Sequence, residues 1–81
     1  MEKIIVNKPT AREQYIAGRI NQYYADAWQD YGVKGHVISC TEFDGCCRIK
    51  WQEDGEDDVL YIEYADDYTA EQIFYIWMEE R

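Results

Sequence analysis

The sequence predicts an α+β domain in which three antiparallel strands lie between two helices, in the order α-β-β-β-α. Capping boxes mark two helix starts, one at residues 10–13 and one at residues 69–72. Between them, tight-turn signals at Asp44-Gly45 and at Gly55 separate stretches in which apolar and polar side chains alternate. These observations indicate a three-stranded meander flanked by helices.

The first helix is predicted over residues 11–31. In its capping box, the Thr10 hydroxyl accepts a hydrogen bond from the Glu13 backbone N–H, and the Glu13 carboxylate accepts one from the Thr10 backbone N–H. Apolar residues then recur three and four positions apart, and Gly32 provides a left-handed end. The stripe predicted to face the core contains Ile16, Ile20, Tyr23, Tyr24, Ala27, Trp28 and Tyr31.

A β-hairpin is predicted around Asp44-Gly45, because both central positions of a type I′ turn need a positive φ. The turn pairs Phe43 with Cys46, and this pairing fixes the register of the two strands. The buried face is predicted to hold Ile38 (paired with Trp51), Cys40 (paired with Ile49) and Cys47, and the other face Ser39, Thr41, Arg48 and Lys50.

A third strand is predicted after the turn at Gly55. The segment from Val59 to Tyr64 is typical of a buried strand, with Leu60, Ile62 and Tyr64 on its core side. The segment KIIV at residues 3–6 offers a fourth, short edge strand. We therefore expect a sheet of three antiparallel strands, extended to four if KIIV joins it.

The second helix is predicted from about Ala70 to the C-terminus. Its inward-facing residues are Ile73, Ile76 and Trp77, which recur at helical spacing. Both helices are expected to cover the same apolar face of the sheet. The chain fits one domain, residues 1–81, because a fold of this size has a single core.

The net charge of −9 arises in the second part of the chain. Residues 1–50 hold seven Lys or Arg and six Asp or Glu, whereas residues 51–81 hold one and eleven. Such a surface repels nucleic acid and anionic membranes, so neither is expected as a direct ligand. A basic protein surface is the expected partner.

The sequence predicts no catalytic, cofactor or metal site. Cys46 and Cys47 are neighbours on a strand and point to opposite faces, so at most His36, Cys40 and Cys47 share a side, without C-x-x-C spacing. The only His is far along the chain from Cys46 and Cys47, which disfavours a thiol nucleophile. The acid-rich turn also lacks the spacing of the twelve-residue calcium loop. We expect a protein that is not an enzyme and holds no cofactor.

The N-terminal segment MEKIIVNKP contains an apolar run of only three residues, too short for a signal-peptide core or a membrane span. Three cysteines, two of them adjacent, suit a reducing compartment. We therefore expect a cytoplasmic protein. The aromatic residues exceed what a core of this size hides, which leaves both a monomer and a homodimer open.

The segment EDGEDDVLYIEYADD, residues 53–67, places eight carboxylates in fifteen positions without a Lys or Arg. The positive end of the second helix accounts for Asp66, Asp67 and Glu71, but one turn does not need five further acids. Carboxylates two apart on a strand or four apart on a helix lie about 6–7 Å apart, comparable with successive phosphates. The alternative is a solvated turn without a binding role. The predicted partner-binding surface comprises Glu53, Asp54, Glu56, Asp57, Asp58, Glu63, Asp66, Asp67 and Glu71.

In size, charge and order of elements, with EDGEDD and ADDYTAEQ as its acidic elements, the chain resembles the small acidic inhibitors of phages and mobile elements, the anti-CRISPR and anti-restriction proteins. The resemblance implies action in the bacterial cytoplasm without a cofactor, by binding. As a DNA mimic, the acidic surface would block a basic nucleic-acid-binding site of a CRISPR or restriction complex. The alternatives are a nuclease immunity protein or antitoxin that plugs a basic catalytic cleft, and an accessory phage protein without a basic partner.

Overall fold

The computed structural model describes residues 8–81 and has the predicted α+β order. The three strands form one antiparallel sheet in the order β1-β2-β3. The fourth strand predicted for KIIV lies outside the described residues. The elements are α1 (Ala11–Tyr31), β1 (Gly35–Phe43), β2 (Cys46–Glu53), β3 (Glu56–Ile62), a 3₁₀ turn (Ala65–Asp67) and α2 (Ala70–Glu80).

The N-terminal caps of both helices are confirmed. Thr10 and Glu13 form the first capping box, and Thr69 and Gln72 form the second. Glu13 does more than the sequence indicates, because its side chain is buried and its Oε2 accepts a hydrogen bond of 2.6 Å from the backbone N–H of Glu42. The cap of α1 therefore also fixes the end of β1. Within residues 8–81, neither helix has the length and apolar character required to span a membrane.

The predicted register of the first hairpin is confirmed near its turn and is wrong farther from the turn. Cys40 pairs with Ile49 as predicted, but a β-bulge between Val37 and Ser39 makes Val37 the partner of Trp51. Ile38 is therefore displaced to the opposite face and is 48% exposed. The cause lies on α1, where Oδ1 of Asn21 accepts a hydrogen bond of 2.9 Å from the Val37 N–H. A bulge leaves one residue out of the ladder, and Asn21 binds the backbone at that point.

The third strand starts earlier and ends earlier than predicted. Asp54 and Gly55 form the tight turn with φ values of 50° and 86°, and β3 begins directly after it at Glu56. Ile62 is buried, but Tyr64 lies beyond the strand in a left-handed conformation and is 74% exposed. The prediction that Tyr64 faces the core is therefore wrong. The acids of residues 56–58 are strand residues rather than part of a loop.

Trp77 of α2 lies at the centre of the core and is fully buried. Its ring makes edge-to-face contacts with Tyr23 and Tyr24 of α1, at centroid distances of 5.6 and 5.8 Å. It contacts Trp51 of β2 in the same way at 5.6 Å, and Phe74 stacks on it at 6.0 Å. One side chain thus links both helices to one sheet face, as predicted. The opposite face, which we call the open face, carries no helix of residues 8–81.

Alanine substitutions at Gly35 and at Gly18 are expected to change the free energy of unfolding in opposite directions. A Cβ at Gly35 would come within 2.5 Å of the Tyr24 ring and 2.8 Å of the Gln52 carbonyl oxygen, whereas a Cβ at Gly18 meets nothing within 4 Å. We expect Gly35→Ala to lower the free energy of unfolding by about 1–3 kcal/mol because of overpacking. Gly18→Ala, in the middle of α1, should raise it by about 0.5–1 kcal/mol.

Urea denaturation followed by tryptophan fluorescence measures both changes. Equal effects of Gly35→Ala and Gly18→Ala would contradict the packing of Tyr24 on β1.

Candidate functional site

The predicted acidic residues lie mainly at the two ends of β3. The β2–β3 turn and its flanks form one group, which we call the turn cluster. The region after β3 forms the other, which we call the 3₁₀ cluster. Residues 59–62 of β3 lie between the clusters and place Asp58 and Glu63 about 17 Å apart along the chain. The turn cluster comprises Glu53, Asp54, Glu56, Asp57 and Asp58, and the 3₁₀ cluster comprises Asp44, Glu63, Asp66 and Asp67.

The side chains of the turn cluster are divided between the two faces of the sheet. Asp58 pairs with Trp51, whose ring is in the core, so Asp58 lies on the helix-covered face. Asp57, one residue earlier, lies on the open face because strand side chains alternate. There its Oδ1 accepts a hydrogen bond of 2.8 Å from Nε2 of Gln52. Strand alternation therefore prevents the turn cluster from forming one flat surface.

Arg81 lies beside the helix-side acids of the turn cluster. Its Nη1 is 3.3 Å from Oε1 of Glu53, and its guanidinium carbon lies 4.3 Å from the ring centre of Tyr23. Burial lowers the pKa of Arg81 from its usual value. Sequence reasoning did not include Arg81, although it is the only cation after residue 50.

Two acids of the turn cluster have structural partners. Glu53 accepts a hydrogen bond of 2.8 Å from the Tyr24 hydroxyl, and burial, followed by the bond to Glu53, raises the pKa of Tyr24. Asp54 is tied to the segment before β1 by its backbone N–H, which donates to the Lys34 carbonyl, and by its Oδ1, which accepts from the Lys34 N–H. Glu53 and Asp54 therefore contribute to the fold as well as to the surface charge.

The 3₁₀ cluster lines a single concavity at the other end of the sheet. The 3₁₀ turn is held against the first hairpin because the Ala65 N–H donates to the Gly45 carbonyl at 2.7 Å. This contact brings Asp44 next to acids that are about twenty positions away in the sequence. Sequence reasoning used Asp44 only as a turn residue, although the register of β2 and β3 places its turn beside the end of β3. The concavity is lined by Asp44, Gly45, Cys46, Glu63, Tyr64, Asp66 and Asp67.

Glu71 is separate from both clusters. Its carboxylate accepts hydrogen bonds from Arg19 at 2.9 and 2.7 Å and from the Tyr15 hydroxyl at 2.8 Å. The bond from Arg19, followed by that from Tyr15, lowers the pKa of Glu71 to about 2. Glu71 thus joins α2 to α1, and its charge is already neutralised.

The nine residues predicted for the binding surface differ in whether they lie near a basic group. Within the part of the chain that the structure describes, only Glu53 and Glu71 lie within 4 Å of a basic group. The other seven side chains are exposed and have no such neighbour. Clustered carboxylates without counter-charges repel one another and attract a cationic partner.

The cysteines and the histidine show no metal-site geometry. Residues 8–81 contain no group of three or more metal-ligating side chains. Cys40 and Cys47 lie on the core side with their sulfur atoms 3.8 Å apart, and this contact, followed by burial, raises the pKa of Cys47. His36 does not share their side, because the bulge at Val37 places it on the open face.

Comparisons with protein-family models, with curated proteins and with solved structures give no significant match.

The ion pair of Glu71 predicts a pH-dependent contribution to stability. Because its pKa is lowered from 4.5 to about 2 in the folded state, the pair stabilises the fold above about pH 4.5. This contribution is lost as the pH falls towards 2. We expect the difference in urea midpoint between the native chain and Glu71→Gln to shrink over this range.

Glu79→Gln is the matched control, because it removes an exposed carboxylate that has no ion pair within residues 8–81. If its difference from the native chain shrank in the same way, the effect could not be assigned to Arg19.

Proposed function

We propose that this protein is an inhibitor that binds a basic, nucleic-acid-binding surface of another protein through the two acidic clusters. More specifically, we propose that the target belongs to a bacterial defence complex, as for the anti-CRISPR and anti-restriction proteins that the chain resembles. The inhibitor acts by binding, without catalysis and without a cofactor. Its place of action is the bacterial cytoplasm.

The observation that carries the proposal is the contrast between paired and unpaired acids. Glu71 and Glu53 meet arginines of the same chain. The remaining members of the predicted surface meet none within the described residues, although they lie close together. Repulsion among such groups lowers stability, so their concentration at two places on the surface is best explained by a cationic partner.

The separation of the clusters favours an extended groove over a compact catalytic cleft. Two acidic clusters about 17 Å apart fit a surface on which positive charge is distributed along a line, as in a channel for nucleic acid. A nuclease immunity protein that plugs one cleft needs a single concentrated contact. The distance between the clusters therefore supports the DNA-mimic proposal over the immunity-protein alternative.

Between the clusters, β3 presents two exposed apolar side chains, Val59 and Tyr61. Tyr is enriched in interfaces because its rigid, amphipathic ring supplies contact area. We therefore expect the acids to accelerate association and Tyr61 to slow dissociation. This division of roles makes the complex sensitive to salt in its association rate.

Neutralising each cluster tests the proposal. Affinity capture from a bacterial lysate, read by mass spectrometry, should recover a nucleic-acid-binding protein that added duplex DNA and raised salt both displace. We expect Asp66→Asn/Asp67→Asn and Glu56→Gln/Asp57→Asn/Asp58→Asn each to reduce this capture, because each removes charges that face the partner.

Asp26→Asn/Asp30→Asn is the matched control for the first variant, because it removes the same charge from the exposed surface of α1. It should capture the partner as the native chain does. The proposal fails if neutralised clusters capture the same protein equally well, or if duplex DNA does not compete.

Phage plating efficiency tests the proposal that the target belongs to a bacterial defence complex. Expression of the native chain in strains that carry a CRISPR or restriction system should restore plating of a targeted phage, and neutralisation of either cluster should abolish this effect. Plating restored equally by the cluster variants would contradict it.

A further inference from the structure

The open face of the sheet is an exposed surface with an unusual composition for this chain. Ile38, Phe43, Val59 and Tyr61 are all 41–56% exposed, although they are large and apolar. The register places them around the central strand β2 on the side away from both helices. The β-bulge contributes directly, because it moves Ile38 onto this face.

Two cations, Arg48 and Lys50, lie among these apolar side chains. In the register, Arg48 lies between Thr41 and Tyr61, and its guanidinium carbon is 5.8 Å from the ring centre of Phe43. Neither cation is within 4 Å of a carboxylate of the described residues, whereas Arg12, Arg19 and Arg81 each are; those pairs are Arg12–Glu42, Arg19–Glu71 and Arg81–Glu53.

The nitrogen Nε of Arg48 is buried and has no hydrogen-bond partner in the described part of the chain. A buried donor without an acceptor is energetically unfavourable, and more so when it belongs to a charged group. Because Arg48 as a whole is only half-buried, a carboxylate from outside can pair with the accessible part of its guanidinium group. Arg48 is thus a cation that the fold itself leaves incomplete.

Two acids line the groove that contains Lys50, and both accept hydrogen bonds from neutral groups and keep their charge. Asp57 and Asp58 line a groove together with Ile38, Lys50 and Val59. Asp57 accepts a hydrogen bond from Gln52, and Oδ1 of Asp58 accepts one from the Val59 backbone N–H at 3.0 Å. The groove therefore contains two apolar side chains, two carboxylates and an ammonium group that forms no ion pair with the described residues.

We propose that the open face is a second binding surface, which takes a protein segment carrying carboxylates between apolar side chains. The carboxylates pair with Arg48 and Lys50, and the apolar side chains cover Ile38, Val59 and Tyr61. This surface shares Val59 and Tyr61 with the contact proposed above and takes a partner of the opposite charge, so the two partners compete for it. Binding of a peptide is measured without the basic partner, so its failure is distinguishable from failure of the function proposed above.

Charge decides among the alternative occupants. A second copy stacked face to face over β2 would bring Arg48 and Lys50 of both copies together, and like charges across an interface oppose association. A nucleic-acid strand would have to continue from the open face towards acidic clusters at both ends of the sheet, which repel phosphate. The Phe43 ring is also engaged by Arg48. A short anionic protein segment ends before it reaches the clusters, and its apolar side chains cover Ile38 and Val59, which the phosphate backbone of a nucleic acid does not.

Chemical-shift mapping with short peptides tests this inference. The probes are a peptide of alternating Glu and Leu, a peptide of alternating Glu and Ser, and a short oligothymidylate, each added to the ¹⁵N-labelled full chain. We expect the Glu-Leu peptide to shift the backbone amides of Arg48, Lys50, Val59 and Tyr61. Arg48→Gln/Lys50→Gln should weaken its binding about tenfold or more, because hydrogen bonds to charged groups are lost.

Lys34→Gln is the control, because it removes a cation that lies over the Trp28 ring instead of on the open face. It should leave binding of the Glu-Leu peptide unchanged, and the Glu-Ser peptide should bind more weakly. The proposal is overturned if the Glu-Leu peptide shifts no open-face amides, if oligothymidylate shifts them instead, or if sedimentation shows that the face is occupied by a second copy.

Discussion

The packing of Trp77 is the interaction on which the rest of the structure depends. Its ring contacts aromatic side chains of α1 and β2, so both helices are held on the same face of a three-stranded sheet. Replacing a buried Trp by Ala typically costs about 3–5 kcal/mol, which is a large part of the stability of a small domain. With both helices of residues 8–81 on one face, the other face and the ends of β3 are exposed.

The charges of the chain follow the same division. Outside the two clusters, Glu13, Glu42 and Glu71 are bound by backbone N–H groups or arginines and stabilise the fold. Within the clusters, every carboxylate except that of Glu53 is without a counter-charge among the described residues. The two proposed binding surfaces therefore have opposite requirements: the acidic clusters need cations, and the open face needs carboxylates beside apolar groups.

Local signals predicted the elements well, because caps and turns are decided by residues close in sequence. The boxes at Thr10 and Thr69 and the turn at Asp44-Gly45 form as expected. The register failed at Ile38 because Asn21, on a different element, binds the strand backbone there. No pattern within the strand itself carries that information.

The sequence predicts most of the residues of the acidic site, but not how they are arranged in space. Residues 53–67 are continuous in sequence, yet β3 runs through the middle of this segment and moves its acids to opposite ends of the sheet. Asp44 and Arg81 join the clusters through tertiary contacts, so neither could be assigned from spacing alone. The sequence places Glu71 in the predicted binding surface, because it does not reveal that α1 positions Arg19 beside this carboxylate.

The central claim is that both acidic clusters act together on one extended basic surface. The most direct measurement is the association rate constant with the captured partner, determined against ionic strength for the native chain and for variants neutralised at one cluster or at both. The account predicts that each neutralisation slows association and flattens its salt dependence, and that the effects multiply in the combined variant, since distant sites act independently. Association rates that depend on only one cluster, or on neither, would contradict it.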